Sequence, residues 1–407
     1  MSHSDSIEFD SDLQDAYSLE VGNIAVTNDL KGLAALRTSW CDMQWHPNAD
    51  IDFYTDVVRV WAERCRPHVL TISRNGSPEA LLVGREEIVS IDCRLGYKTL
   101  FRVKARQLTF IYGGMLGEFS SENCTLFIKA IRESLKQREA DLAEFHFIRT
   151  DSCLYRTLSA AKQTRDSSSL VQIHRSTSAG CSADDTYRKM SAKRRKNLRG
   201  KKLLQEFEGR VNIRCFYEPD SLAEMFVDVE SIACKTYHRK LGVGFDGSKE
   251  LYQRMLAESK RGRFRAYVLY LANKPAAFWI ATAYMGVLYS DFLGYDPINA
   301  RYSPGMYLIT KTLEGLCDSE IDSTIKKVDW GLGDAQYKQV LGDSSWTEAN
   351  VRIFGTSLKG VAIKAMIVPI ATVDIWLKRA LANSGLLQKI KTRWRHHLVE
   401  KQTPTST

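Results

Sequence analysis

None of the nine cysteines stands in a CxxC pair or clusters with histidine at metal-ligand spacing. Neither a zinc site nor a disulfide framework is therefore indicated, and the thiols read as reduced and mostly buried. The first twenty residues, "MSHSDSIEFDSDLQDAYSLE", are polar and acidic. That excludes a secretory signal and an Arg-rich transit peptide within them, and the expected location is the cytoplasm. A clean membrane span is also missing. The longest apolar run, Gly360 to Leu377, is interrupted by Lys364, Pro369 and Asp374, so it reads as a buried or surface helix.

With 407 residues, 44% hydrophobic and 26% charged, the chain has the composition of a soluble globular protein of two or three domains. Its net charge of +9 is concentrated. Residues 188 to 202, "RKMSAKRRKNLRGKK", hold nine Lys/Arg and no acid, and the rest of the chain is balanced at 48 of each sign. From an N-cap at Asp184 or Asp185, this segment reads as a basic helix reaching about Phe207.

The chain also carries an internal repeat. "HVLTISRNGSPEALLVGREEI" from His68 has the pattern strand, turn, strand, with the turn at Asn75-Gly76. "AYVLYLANKPAAFWIATAYMG" from Ala266 repeats it, with the turn expected at Asn273-Lys274. Each hairpin is preceded by two helical segments and followed by a strand, a helix and a strand, "QLTFIYGGML" to "AEFHFI" and "GVLYSDFLGYD" to "IKKVDW". The order α-α-β-β-β-α-β, given twice, predicts two similar α/β domains. The expected divisions are a disordered terminus over 1–17, a first domain over 18–176, a second over 177–357 opening with the basic helix, and a helical tail over 358–407.

In "GYDPINARYSPGMYLITKTLEGL" a strand leads into a helix: Ser303 suits the N-cap, Pro304 the first helical position, and Met306, Ile309, Leu313 and Leu316 recur at helical spacing. Gly305, Met306 and Tyr307 would offer unpaired N–H groups and Arg301 a cation to an anionic group. The matching start in the first repeat, "GGMLGEFSSENCTLF", is flanked by Glu118 and Glu122, which suit an empty helix dipole and repel a pyrophosphate.

"SAKRRKNLRGKKLLQEFEG", "YDPINARYSPGMYL" and "VDWGLGDAQYKQVLG", with its Asp-x-Gly-x-Gly-x-x-x-Tyr-Lys pattern, resemble the acetyltransferase domain of cellulose-biosynthesis-associated (CelD-like) proteins. That group lies within the GNAT N-acetyltransferase superfamily, and its tandem domains are similar to those of the peptidoglycan aminoacyltransferases. The resemblance covers about 180 to 355. It implies two tandem GNAT-like domains with a mixed, mostly antiparallel sheet flanked by helices, the first of them degenerate. It also implies acetyl-CoA or another acyl-CoA as co-substrate, held at Arg301, Ser303, Gly305, Met306 and Tyr307, and no metal. The implied reaction is direct N- or O-acyl transfer to a sugar, polysaccharide precursor or envelope metabolite, in exopolysaccharide biosynthesis.

Tyr337 occupies the place of the family's acid for the departing thiolate, or packs its ring on the sheet. Asp329, ending the strand "IKKVDW", would be the base, or with Asp334 would cap the following loop and helix. Lys235 and His238 in "CKTYHRKLGVGFDG" would line the acceptor cleft, or be solvated. Asp334 and Lys338 would contact substrate, the lysine otherwise being an exposed helix lysine. The basic helix could bind nucleic acid, lie on anionic lipid together with the tail "KIKTRWRHHLVEK", or only shape the cleft. Stacking aromatics are absent from 188–202, which argues against nucleic acid. Two other readings of the whole chain are a non-catalytic membrane-surface adaptor of a polysaccharide assembly system and a tRNA-dependent aminoacyltransferase.

Overall fold

The computed structural model describes residues 24–96, 98–161, 166–168, 171–178, 201–236, 239, 244–316 and 319–383. The expected disordered terminus 1–17, His238, the basic residues 188–200 and the tail beyond 383 lie outside them.

The chain divides into two compact units, Met1–Gln172 with Thr347–Leu387, and Ile173–Trp346 with Gln388–Thr407. Neither is contiguous in sequence.

Unit 1 opens with strand β1 (Ile24–Thr27) and helices α1 (Leu30–Met43) and α2 (Ile51–Val60), capped by Asp29 and Asp50. The hairpin β2 (Cys65–Arg74) and β3 (Ser77–Leu95) turns at Asn75-Gly76, both at positive φ, as the Asn-Gly pair requires. β4 (Lys98–Gly117), α3 (Ser121–Lys136), β5 (Leu142–Arg149), α4 (Cys153–Ala160) and the short β6 (Asp166–Ser168) follow. The β3–β4 ladder continues far past the expected strand, from Ala80–Gly117 to Leu95–Lys98.

Unit 2 contains β7 (Gln172–Ser178), α5 (Lys201–Phe207), β8 (Val211–Phe216), α6 (Leu222–Ala233), α7 (Lys249–Lys260), β9 (Phe264–Leu271), β10 (Lys274–Tyr284), β11 (Val287–Tyr295), α8 (Pro304–Gly315), β12 (Lys327–Leu332) and α9 (Gln336–Leu341). Here the hairpin turns at Ala272-Asn273, one residue earlier than expected, with both at positive φ. β13 (Ser344–Phe354) then pairs with β5 and β6 of unit 1, and α10 (Leu358–Asn383) closes the described chain.

Within each unit the strands pair mostly antiparallel, with one parallel pair each, β4/β5 and β11/β12, connected through α3 and α8. β7, written after the first repeat, serves the second sheet by pairing with β12. β13, written after the second repeat, serves the first. This exchange of terminal strands makes the units discontinuous.

Helices cover both faces of each sheet. In unit 1, Leu33, Trp40 and Tyr54 pack on one face and Phe127, Ile131 and Leu135 on the other. In unit 2, α6 and α7 bury Met225, Val229 and Met255, while α8 buries Leu308 and Ile309 against Trp279 and Trp330. Those two indoles stack 5.3 Å apart, a placement that suits rings able to bury about 150–250 Å² each.

Among the described residues the seven cysteines are free; Cys65, Cys93 and Cys124 are buried and Cys234 is exposed.

Candidate functional site

Asp296 ends the strand–turn junction after β11 by accepting from the N–H of Ile298, which starts a short 3-10 turn over Pro297–Tyr302. Its other oxygen takes an ion pair from Lys235 Nζ at 2.6 Å. Lys235, expected in the acceptor cleft, is thus held at this turn. Ser303 follows at φ 51°, ψ 52°, and its N–H donates to Ala300. It stands at the N-cap position of α8, but in the left-handed conformation and without a side-chain cap bond. The preceding turn dictates that bend, which overturns the expectation of an ordinary Ser N-cap.

Pro304 has no N–H, and Tyr307 donates its own to Ser303 O at 3.1 Å. Of the three N–H groups expected to be open, those of Gly305 and Met306 remain, at the positive end of a helix with no acid in its first turn. The side chains of Met306 and Tyr307 pack into the core. Arg301 is exposed, lies over the Tyr302 ring and reaches Glu206 of α5 at 3.7 Å.

β11 and β12 pair in parallel through three residues only, Val287–Tyr289 with Lys327–Asp329. Both strands then run on unpaired with each other, to Tyr295 and to Leu332. The divergence opens a wedge between two strand edges whose backbone groups can pair with an extended ligand. Asp329 therefore does not end its strand, as expected, but marks the last rung before the wedge. Val328 and Trp330 belong to the core under α8, so alternation turns Asp329 to the face covered by α6 and α7.

There Asp329 Oδ1 lies 2.5 Å from Nε2 of His174 on β7 and accepts from the N–H of Gly331 at 2.8 Å. Gly331 adopts φ 67° within the bulge that aims its N–H at the carboxylate. His174 is buried and stacks on Trp346 at 4.4 Å. Across the last rung stands Tyr289, whose phenol is pushed up by burial and by the charge of Asp329. Two residues on, Asp291 sits at a break in the β10–β11 register, 2.8 Å from Thr282 Oγ1 and 4.0 Å from Arg254 of α7.

Lys338 is buried at 8% exposure rather than exposed on its helix. Its Nζ donates to Leu332 O at 2.6 Å. Desolvation lowers its pKa to about 8, with Asp329 acting in the opposite sense. Tyr337 is half-buried, its ring edge-on to Trp330 at 5.9 Å. Asp334 caps nothing: its carboxylate binds Arg175 at 2.8 and 3.0 Å and accepts from Gln339. The structure thus gathers Asp329 and Lys338 beside the wedge, with Tyr337 on the neighbouring turn of α9. His174, Tyr289, Asp291 and Trp346 were missed. His174 stood beside the expected domain boundary at 176/177, and no local pattern distinguished it.

Unit 1 holds the same wedge in a filled form. Its parallel pair ends at Phe110–Phe145, two rings stacked at 4.8 Å, on the rung where unit 2 carries Tyr289 and Asp329. The indole N–H of Trp45 occupies the carbonyl of Met115 on the diverging strand. At the start of α3, Ser120 caps the N–H of Asn123, and Glu122 lies in the first turn. The last rung of unit 1 thus carries two phenylalanines and its helix start is capped by a side chain, in contrast to unit 2.

The acetyltransferase (GNAT) domain family matches residues 192–339. No curated protein sequence matches the chain. Among solved structures, FemX aligns with TM-score 0.51 at 8% identity over 76% of this chain and 93% of its own. A conserved protein of unknown function from Bacteroides thetaiotaomicron VPI-5482 aligns with TM-score 0.50 at 10% identity over 79% and 97%. A tandem GNAT protein from the clavulanic acid biosynthesis pathway aligns with TM-score 0.45 at 9% identity over 82% and 99%. At such identities structural likeness speaks to fold alone. Unit 2 carries a GNAT-type acyltransferase domain within a mixed α/β fold, and among the described residues no group of His, Cys, Asp and Glu is arranged to hold a metal ion.

Proposed function

We propose, from the GNAT-type acyltransferase domain in unit 2, that the chain transfers an acyl group from acetyl-CoA or a longer acyl-CoA to an amine or hydroxyl. The observation that carries this reading is the coincidence of three features in unit 2: the wedge beyond Tyr289 and Asp329, the uncapped start of α8, and a carboxylate–imidazole pair on the last rung. The residues fit the co-substrate. Backbone N–H groups of Gly305 and Met306 would hold a pyrophosphate, with Arg301 adding charge, and the strand edges would hold the extended arm.

A thioester supplies an activated carbonyl and a thiolate leaving group, so the protein's tasks are to hold, to exclude water and to move protons. Asp329 would take the proton of the attacking amine or hydroxyl, its Oδ1 fixed by Gly331 N–H and His174. Tyr337 would return a proton to the thiolate. A sugar, polysaccharide-precursor or envelope acceptor is proposed on the CelD-like resemblance alone.

The test is calorimetric titration with acetyl-CoA of the wild type and of Gly305→Glu. A Cβ at Gly305 would meet Tyr295 at 3.5 Å, an ordinary contact, so the variant should fold. Binding lost only in the variant supports the reading. Absence of binding by the wild type at millimolar ligand overturns it.

A further inference from the structure

Helix α10 covers the far end of the long β3–β4 ribbon in unit 1. Its Ile363 and Ile367 are buried there with Ile91, Cys93 and Val103, and Gly96 N–H at the ribbon's tip donates to Asp374 at 2.7 Å. The opposite side of the helix is apolar too. Over Leu358–Leu377 the mean hydropathy is 1.7, enough by length and composition to cross a membrane, yet only 17% of that stretch is buried. Where helix and ribbon tip converge, Leu95, Leu100, Phe101, Val373, Trp376 and Leu377 are all exposed, Trp376 at 69%. Among the described residues nothing covers them. An exposed apolar patch of this kind marks an interaction surface.

The charge around it selects the occupant. Residues 92–106 hold five Lys/Arg and one Asp. Arg94 and Arg102 share that Asp92, and Lys98 stands exposed at the turn. Next in sequence after Leu377 come Lys378 and Arg379. Apolar side chains including tryptophan, with the cations of the ribbon tip beside them, match an anionic bilayer: rings and aliphatics enter the interface while guanidinium and ammonium groups meet phosphate. A partner protein with the same preference would need an acidic apolar groove, for which nothing here argues. Burial of Ile363 and Ile367 keeps α10 against the ribbon, so it meets the membrane from outside rather than crossing it.

We propose that the tip of the β3–β4 ribbon and the C-terminal half of α10 form a docking surface for an anionic lipid bilayer. The proposal rests on unit 1 and is independent of acyl-CoA binding.

Vesicle flotation tests it with full-length protein and vesicles of phosphatidylcholine, with and without about one third phosphatidylglycerol. The double variants Val373→Glu/Trp376→Glu and Lys98→Glu/Arg102→Glu alter only exposed side chains, and thermal melting checks their fold. The wild type should partition at least about tenfold more strongly to the anionic vesicles, and each variant should lose at least about tenfold of that binding with its melting temperature unchanged. Failure of the wild type to float, or undiminished binding by both variants, overturns the proposal. So does a wild-type dimer in sedimentation velocity that Val373→Glu/Trp376→Glu dissociates, since a second copy would then be the occupant.

Discussion

His174 Nε2 lies 2.5 Å from Asp329 Oδ1, bridging two antiparallel strands that are 155 residues apart in sequence. The bond joins a buried imidazole to the carboxylate on the last rung before β11 and β12 separate. Asp329→Asn should lower thiol release from acetyl-CoA in the presence of amino-sugar acceptors by about 10²–10⁴-fold. Acetyl-CoA affinity should stay within about twofold, because the carboxylate is remote from the N–H groups of α8. His174→Gln, which retains a donor, should keep more activity than His174→Ala, whose pH–rate profile should also shift. Equal loss in both, with unchanged profiles, would make His174 a packing residue only.

Lys338 links the site to pH. Its pKa is lowered in the folded state to about 8 from 10.5, so between these values the unfolded chain binds more protons than the folded one. Its contribution to stability therefore rises with pH across that window, by up to about 3 kcal/mol in total. Below pH 8 the buried ammonium is a standing cost. Chemical denaturation of wild type and Lys338→Met at pH 7 and pH 10 should give a difference that moves in the wild type's favour as pH rises.

One acyl-CoA should bind per chain. The rung of unit 1 carries Phe110 and Phe145 in place of Tyr289 and Asp329, Trp45 occupies the diverging strand, and Ser120 caps α3. A calorimetric stoichiometry of two would contradict this.

Ser303 holds a conformation that costs a non-glycine residue roughly 1–2 kcal/mol. Ser303→Gly removes that strain and loses part of the gain to unfolded-chain entropy. The expected outcome is a rise in melting temperature corresponding to about 0.5–1 kcal/mol, with acetyl-CoA affinity preserved. A fall would mean that the Ser303 hydroxyl has a role that its lack of a cap bond does not reveal.

The repeat was legible because its signals are local: helical spacing before each hairpin, Asn at each tight turn, and alternating strands after. The position of α8 was legible from Ser-Pro-Gly and apolar spacing, while the αL twist at Ser303 depended on the capped turn before it. Asp329 and Tyr337 stood out through a short pattern. Lys338 looked like any helix lysine, since burial depends on what packs over it.

Composition and periodicity alone determined the α/β class, the two repeats, the helix at Pro304 and the acidic start of α3. These rest on backbone preferences and on neighbours within a few residues. Only the tertiary structure decided that β7 and β13 change places, because strand pairing is chosen by register and by which edge lies open rather than by order in the chain. That exchange carries His174 from beside the expected domain boundary to Asp329. It also delivers the segment that ends in α10 to the far end of the β3–β4 ribbon, where apolar residues of the run read as a buried or surface helix stand exposed.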